Sequence, residues 1–265
     1  MSNWLTRVGG GDRPFRRRLV ALPHAGGWPS AFNPWRDLLP DDVELLVAQL
    51  PGHGARIAEE PLRRVEPMVE GLVGELSETD DLPLAVLGHS FGSVLGYELS
   101  RALEAGGRPP RLLVVSARQP PCFRDVAPFA HRRGDEELLE HLVRIGGLPA
   151  RLREQRGLIG PVLRAVRADL EAMETHRRPG SETGVPILAV GAHDDPVVVT
   201  ERMPLWSLET TSGFRSELFE GGHFFLYSPR TAVRVLGHVL KALSVDSLPA
   251  AGAGTASGEL QGARP

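Results

Sequence analysis

Leu82-Pro83-Leu84-Ala85-Val86-Leu87-Gly88-His89-Ser90-Phe91-Gly92-Ser93-Val94-Leu95-Gly96 changes its periodicity in the middle. Leu84 to Leu87 is an unbroken apolar run, the pattern of a buried strand. From Ser93 to Ala105 the apolar residues Val94, Leu95, Tyr97, Leu99, Ala102 and Leu103 recur at the spacing of an amphipathic helix. Between them, Gly88-His89-Ser90-Phe91-Gly92 matches G-x-S-x-G, the sharp strand-to-helix turn that lifts a nucleophilic serine above a sheet. A turn that tight excludes side chains beside the serine, which accounts for Gly88 and Gly92. The start of the helix also favours negative charge developing nearby. A serine that merely caps a helix would satisfy the same five residues, so the flanking chain has to discriminate.

Working outward, Leu19 to Leu22 reads as a strand that runs into Pro23-His24-Ala25-Gly26-Gly27. A Gly-rich loop after such a strand can turn backbone N–H groups toward an anion. By position, the amides of Ala25 and Phe91 are the candidate oxyanion donors. Val43 to Leu50 is a second strand, ending in the loop Pro51-Gly52-His53-Gly54-Ala55-Arg56, where Arg56 is read as structural. Met68, Val69, Leu72, Val73 and Leu76 give a helix, and Leu112 to Val115 a further strand. No strand-like run follows between Gln119 and Pro179, but Glu136 to Ile145 and Val162 to Met173 are helical patterns. This insertion of about sixty residues is expected to form a lid over the C-terminal edge of the sheet. Strands then resume at Pro186 to Val190 and Phe214 to Phe219, and Ala232 to Leu243 closes the pattern as a helix.

This alternation predicts an α/β fold with a mostly parallel sheet, helices on both faces and a helical lid at about 119–179. Residues 1–15 are expected to be a flexible arm, 16–245 one domain, and 246–265 a disordered tail. At 265 residues, with 42% hydrophobic and 24% charged content, the chain suits one soluble globular domain. A formal net charge of -3 argues against nucleic acid as a partner. No apolar run approaches the roughly 20 residues that span a bilayer, and the N-terminus lacks an apolar signal core, so no membrane partner and a cytoplasmic location are expected. The single Cys122 excludes an intramolecular disulfide, and no H-E-x-x-H pattern offers a metal site, so neither metal nor cofactor is expected.

A serine hydroxyl becomes a nucleophile only beside a base that is itself oriented by a carboxylate. The order serine, acid, histidine is that of α/β-hydrolases. Among nine histidines, only His223 follows the last strand in a Gly-Gly loop, Gly221-Gly222-His223-Phe224-Phe225, since His238 lies inside the final helix. The acid falls in Gly191-Ala192-His193-Asp194-Asp195-Pro196. Asp195, directly before the proline, is the choice, with Asp194 in reserve. Ser90, Asp195 and His223 each end a predicted strand, along the edge where open parallel sheets carry their sites.

These segments together resemble the type II thioesterases of polyketide and nonribosomal peptide assembly lines, within the α/β-hydrolase superfamily. The resemblance runs from about Arg17 to Ala242. Besides the elbow it rests on Leu22 to Gly27, Gln49 to Arg56, Gly146-Gly147-Leu148-Pro149, Leu163-Arg164-Ala165-Val166-Arg167-Ala168-Asp169 and Gly221 to Phe225. It implies a serine hydrolase that removes acyl groups from the phosphopantetheine arm of acyl or peptidyl carrier proteins. Ser90, His223 and Asp195 would form its triad, with Ala25 and Phe91 holding the oxyanion. The substrate's arm belongs to the carrier, so no cofactor of its own is implied, and a monomer is expected. In such a family His53 stands where arginine is common, and His176 where a tyrosine is common. A general carboxylesterase, a medium-chain fatty-acyl thioesterase and a non-catalytic carrier-docking protein are the competing readings.

Overall fold

The computed structural model describes residues 4–9, 14–123, 129–148, 156–177, 180 and 182–244. The expected tail, 246–265, and the lid positions 124–128, 149–155 and 178–179 lie outside the described residues. Seven strands form one sheet in the order β1-β3-β2-β4-β5-β6-β7. They are β1 (Leu5–Arg7), β2 (Arg17–Leu22), β3 (Val43–Ala48), β4 (Leu84–His89), β5 (Leu112–Ser116), β6 (Ile187–Ala192) and β7 (Phe214–Phe219). All neighbours pair in parallel except β1, which lies antiparallel to β3.

The expectation of a loose arm over 1–15 is corrected by β1 for residues 4–9, while 1–3 and 10–13 lie outside the described residues. Three residues are too few to show a period in sequence. They are fixed instead by distant partners: the Glu75 carboxylate accepts the Trp4 and Leu5 amides, and Arg7 pairs with the buried Glu44 at 2.6 Å.

Parallel strands must be covered on both faces, which explains their near-continuous apolar sequence. Alternate residues divide between two cores. Val20, Leu22, Val86, Leu113 and Val115 pack against α1 (Val65–Ser77) and α2 (Phe91–Ala105). Leu19, Ala21, Leu87, Val114 and Val190 pack against a 3-10 helix over Pro29–Leu38 and against α5 (Pro229–Ser244). Helix α5 opens on a Ser228-Pro229 start, with the Ser228 hydroxyl accepting the Thr231 amide, a common helix-initiating arrangement.

The inserted segment contributes α3 (Asp135–Arg144) and α4 (Arg156–Thr175), as its helical patterns predict. Acids in the first turn of α3 and basic residues in its last turn both suit the helix dipole. Leu138 and Leu142 of α3 meet Leu163 and Val166 of α4 in a small core of their own, separate from the two that flank the sheet.

Candidate active site

The elbow joins β4 to α2 with Ser90 at φ 55° and ψ -116°, a left-handed conformation that costs a non-glycine residue of order 1–3 kcal/mol. It persists because the surroundings over-determine it. The Ser90 amide donates to the Ser116 carbonyl at 2.7 Å, and the buried Ser93 hydroxyl reaches the carbonyls of Gly88 and Ser116, both at 2.9 Å. A Cβ on Gly88 would land on the Gly92 carbonyl, and one on Gly92 would land on the Leu22 carbonyl. The two glycines are therefore a packing requirement of the strained serine.

His223, in the loop after β7, places Nε2 3.0 Å from Ser90 Oγ. Its Nδ1 lies 3.0 and 2.9 Å from the two carboxylate oxygens of Asp195, in the loop after β6. The side chains of His223 and Asp195 are 3% and 0% exposed, so the pair works at low dielectric. Asp195 Oδ1 also accepts the Val197 amide at 2.8 Å, which fixes the carboxylate in turn. Asp194, the reserve candidate, is exposed and donates its backbone N–H to the Gly221 carbonyl at 3.1 Å. Among the described residues, neither the Ala25 nor the Phe91 amide donates to a protein acceptor, so both stay available to a ligand. The arrangement has the parts of nucleophilic acyl transfer: an activated hydroxyl, an oriented base and two uncommitted N–H groups.

The family model for the thioesterase domain matches residues 17–243 of this chain. The chain belongs to the thioesterase family. It is 31% identical to the gramicidin S biosynthesis protein GrsT of Aneurinibacillus migulanus over 80% of this chain and 84% of that protein. It is 34% identical to the thioesterase PikA5 of Streptomyces venezuelae, over 79% of this chain and 75% of that one. Among solved structures, the type II thioesterase BorB from the borrelidin biosynthetic cluster superposes with a TM-score of 0.81 at 33% identity, covering 91% of this chain and 97% of that one. The protein is thus a hydrolase acting on thioesters.

In this thioesterase the loops around the triad carry further polar groups, among them the half-buried His24 and the fully buried His89. His24, two residues past the end of β2, points Nδ1 at the Tyr227 hydroxyl 2.9 Å away and stacks edge-on with Phe224. Burial, and then the proximity of His223 and His53, pushes its pKa down to about 3. His89, beside the nucleophile, shares a 2.9 Å contact between Nδ1 and Ser116 Oγ; burial first, then His223 and His24, holds it well below the ordinary histidine value. Both rings are therefore neutral near pH 7 and add no positive charge of their own beside His223.

The lid reaches the site through α4. Asp169 Oδ2 accepts the Gly26 amide at 2.7 Å and lies 2.8 Å from His53 Nε2. Glu174 accepts the Ala130 and His131 amides and pairs with the His131 ring, while His176 Nε2 lies 3.1 Å from Glu98 of α2. A cavity of about 330 Å³ opens one turn along α2 from Ser90, bounded by Val94, Tyr97, Gln119, Phe123, Met173 and Trp206. Cys122 also lines it and is exposed. Arg56 is buried, as a structural residue should be, with its guanidinium on Glu59 and the Gln49 carbonyl. Among the described residues no cluster of three or more His, Cys, Asp or Glu could hold a metal ion, and no helix is long and apolar enough to cross a membrane.

Asp169 had a readable signal that a search for triad residues passes over. It interrupts the apolar face of α4, three residues after Val166 and three before Ala172. A lone acid in such a stripe must find partners or unfold the helix from its core.

Proposed function

We propose that this thioesterase hydrolyses acyl groups from the phosphopantetheine arm of acyl or peptidyl carrier proteins, editing stalled or aberrant units on polyketide or nonribosomal peptide assembly lines. The observation that carries the chemistry is the continuous path from Asp195 through His223 to Ser90 Oγ, with every link at 3.0 Å or less. The assembly-line setting is supported by relatives such as GrsT, a gramicidin S biosynthesis protein, and BorB, a type II thioesterase from the borrelidin biosynthetic cluster.

Ser90 Oγ attacks the thioester carbonyl while His223 Nε2 takes its proton. The oxygen of the tetrahedral intermediate receives the Ala25 and Phe91 amides. As the C–S bond breaks, His223 returns the proton to the departing pantetheine sulfur, leaving the acyl group as an ester on Ser90. Water then attacks that ester, giving its proton to His223, and collapse releases the carboxylic acid as the proton passes back to Ser90. Asp195 holds Nδ1–H and stabilises the imidazolium of both half-reactions. One chain supplies all these groups, so the proposed chemistry needs no residue from a second subunit. The cavity beside α2 is the place for the acyl chain, because it starts at Val94 on the helix that Ser90 opens.

The test presents one acyl group in three forms: on a phosphopantetheinylated carrier protein, on a short pantetheine thioester and as an oxygen ester. Preference for the carrier-bound form, with loss of covalent acylation in Ser90→Ala, supports the reading. Equal or faster hydrolysis of the oxygen ester would assign a general carboxylesterase instead, and turnover retained in Ser90→Ala would remove the acyl-enzyme.

A further inference from the structure

Three separate segments meet at one carboxylate oxygen. Asp169 of the lid helix α4 has a side chain that is 1% exposed, and its Oδ2 touches both Gly26 N and His53 Nε2. Its other oxygen, Oδ1, is buried with no hydrogen-bond partner among the described residues, so the whole pairing falls on Oδ2. Gly26 lies in the loop after β2, and His53 in the loop after β3.

The hydrogen count at this junction follows from the groups that face the ring. His53 Nδ1 lies 2.9 Å from the Pro51 carbonyl and must donate to it. With Asp169 ionised, Nε2 also faces an acceptor, and a ring that donates to both carries two protons. Burial opposes that charge, but the Asp169 charge and hydrogen bond, with the Pro51 and Leu50 carbonyls, outweigh it and raise the His53 pKa. The junction is therefore a buried ion pair that also clamps a backbone amide.

The clamped amide is the one next to a candidate oxyanion donor. The N–H groups of Ala25 and Gly26 belong to adjacent peptide units joined at the Ala25 Cα, so fixing the second restricts rotation of the first. Gly26 adopts φ +72°, and a Cβ there would run into the Val166 side chain, one turn before Asp169 on α4. Helix α4 thus holds this loop twice, by a hydrogen bond and by contact.

We propose that Asp169 is a positioning residue of the lid: when α4 is docked, its carboxylate holds Gly26 so that the Ala25 amide meets the oxyanion of the tetrahedral intermediate. The inference rests on the oxyanion role assigned to Ala25 above. An oxyanion donor contributes only within about 2.7–3.1 Å of the place where the charge develops, so a small rotation of the loop lowers turnover without altering ground-state binding. Lid docking and completion of the site become one event, and a carrier or acyl group that displaced α4 would switch the loop out of register.

The test uses the full-length enzyme, a short acyl pantetheine thioester and an alkylboronic acid, which forms a tetrahedral adduct on Ser90. Asp169→Ala should lower kcat on the order of 10- to 100-fold, since complete loss of one donor costs about 10²–10³. KM should stay within about twofold, and boronate affinity should fall in parallel with kcat/KM. Asp169→Ala strands the His53 charge and risks misfolding, so the double variant His53→Leu with Asp169→Leu is the second arm. It removes both members of the pair, which relieves the stranded charge, yet still deprives Gly26 of its acceptor. The same loss of kcat and of boronate affinity is expected in a variant that unfolds at the wild-type temperature. A double variant with wild-type kcat would reduce Asp169 to a fold-stabilising residue and overturn the proposal. So would a raised KM at unchanged kcat, or lost kcat with unchanged boronate affinity. Ser90→Ala is run alongside: turnover surviving there would sink the acyl-enzyme reading itself, whereas a dead Ser90→Ala with normal Asp169 variants would sink only the positioning role.

Discussion

Asp195 sets both carboxylate oxygens within 3.0 Å of His223 Nδ1, while Asp194, its neighbour in the chain, stands exposed. The divergence follows from the turn after β6, in which the Val197 and Val198 amides cap Asp195 Oδ1 and draw that side chain inward. Adjacent identical residues thus have opposite electrostatic surroundings: one carboxylate is desolvated against the base, the other is screened by water.

Asp195→Asn should consequently lower kcat by about 10³- to 10⁴-fold, because an amide in this place favours the wrong tautomer of the base. Asp194→Asn should leave kcat within about threefold. Steady-state rates of the two variants on a pantetheine thioester decide the matter, and the reverse ranking would move the acid by one residue.

Gly88→Ala and Gly92→Ala should behave as folding lesions. Each added methyl meets backbone carbonyl, of Gly92 in the first case and of Leu22 in the second, and backbone cannot swing aside as a side-chain tip can. Overpacking in a dense interior typically costs 1–3 kcal/mol, and these sites belong at or above the top of that range. Urea unfolding of the soluble variants measures it; a loss below about 1 kcal/mol would show that the elbow is looser than its contacts imply.

How the site was legible follows from such particulars. Ser90, Asp195 and His223 stand at strand ends in loops marked by glycine or proline, and those strands are apolar enough to read directly. Strand β1 was not legible, because three residues carry no period and its hold on the molecule comes from Glu75 and Glu44, far away in sequence. The Asp169 junction escaped for the same reason: its partners, His53 and Gly26, lie 116 and 143 residues away. The 3-10 helices over Pro29–Leu38 and Thr200–Glu209 also went unread, since each contains an internal proline that hides a helical pattern.

The neutral histidines beside the base make stability depend on pH in a defined direction. His24 has a folded pKa of about 3 against an unfolded value near 6.5. Its contribution is therefore complete above pH 6.5 and is lost as pH falls toward 3, where the unfolded chain binds a proton that the native chain refuses. His89 acts in the same direction. His53, whose pKa is raised, adds stability below pH 6.5 that is lost as pH rises through its folded value. His24→Gln should accordingly flatten the fall in unfolding free energy between pH 6 and 4 by about 1.4 kcal/mol per pH unit. Urea denaturation at pH 4, 5 and 6 reads the slope, and an unchanged slope would mean that His24 is hydrated in the native state.

The lid offers a prediction in which local and global stability separate. Leu138 is fully buried, but within the small cluster shared by α3 and α4 and not in either core that flanks the sheet. Large-to-small substitutions in a core cost about 2–5 kcal/mol, and here that loss falls on a unit with few other apolar contacts. Leu138→Ala should therefore release α3 from α4 well below the temperature at which the sheet melts, because small cooperative units open independently when their own packing is weakened. Limited proteolysis should show cleavage within the lid at least tenfold faster than in the wild type, while the main thermal transition moves by only a few degrees. Helix α4 keeps its tie to the sheet domain through Asp169 and Gly26, and His176, just past its end, keeps one to Glu98, so turnover of a short pantetheine thioester should change less than turnover of a carrier-bound acyl group. A single thermal transition displaced as a whole, with proteolysis following it, would show that lid and sheet unfold together and that the α3–α4 cluster is no separate unit.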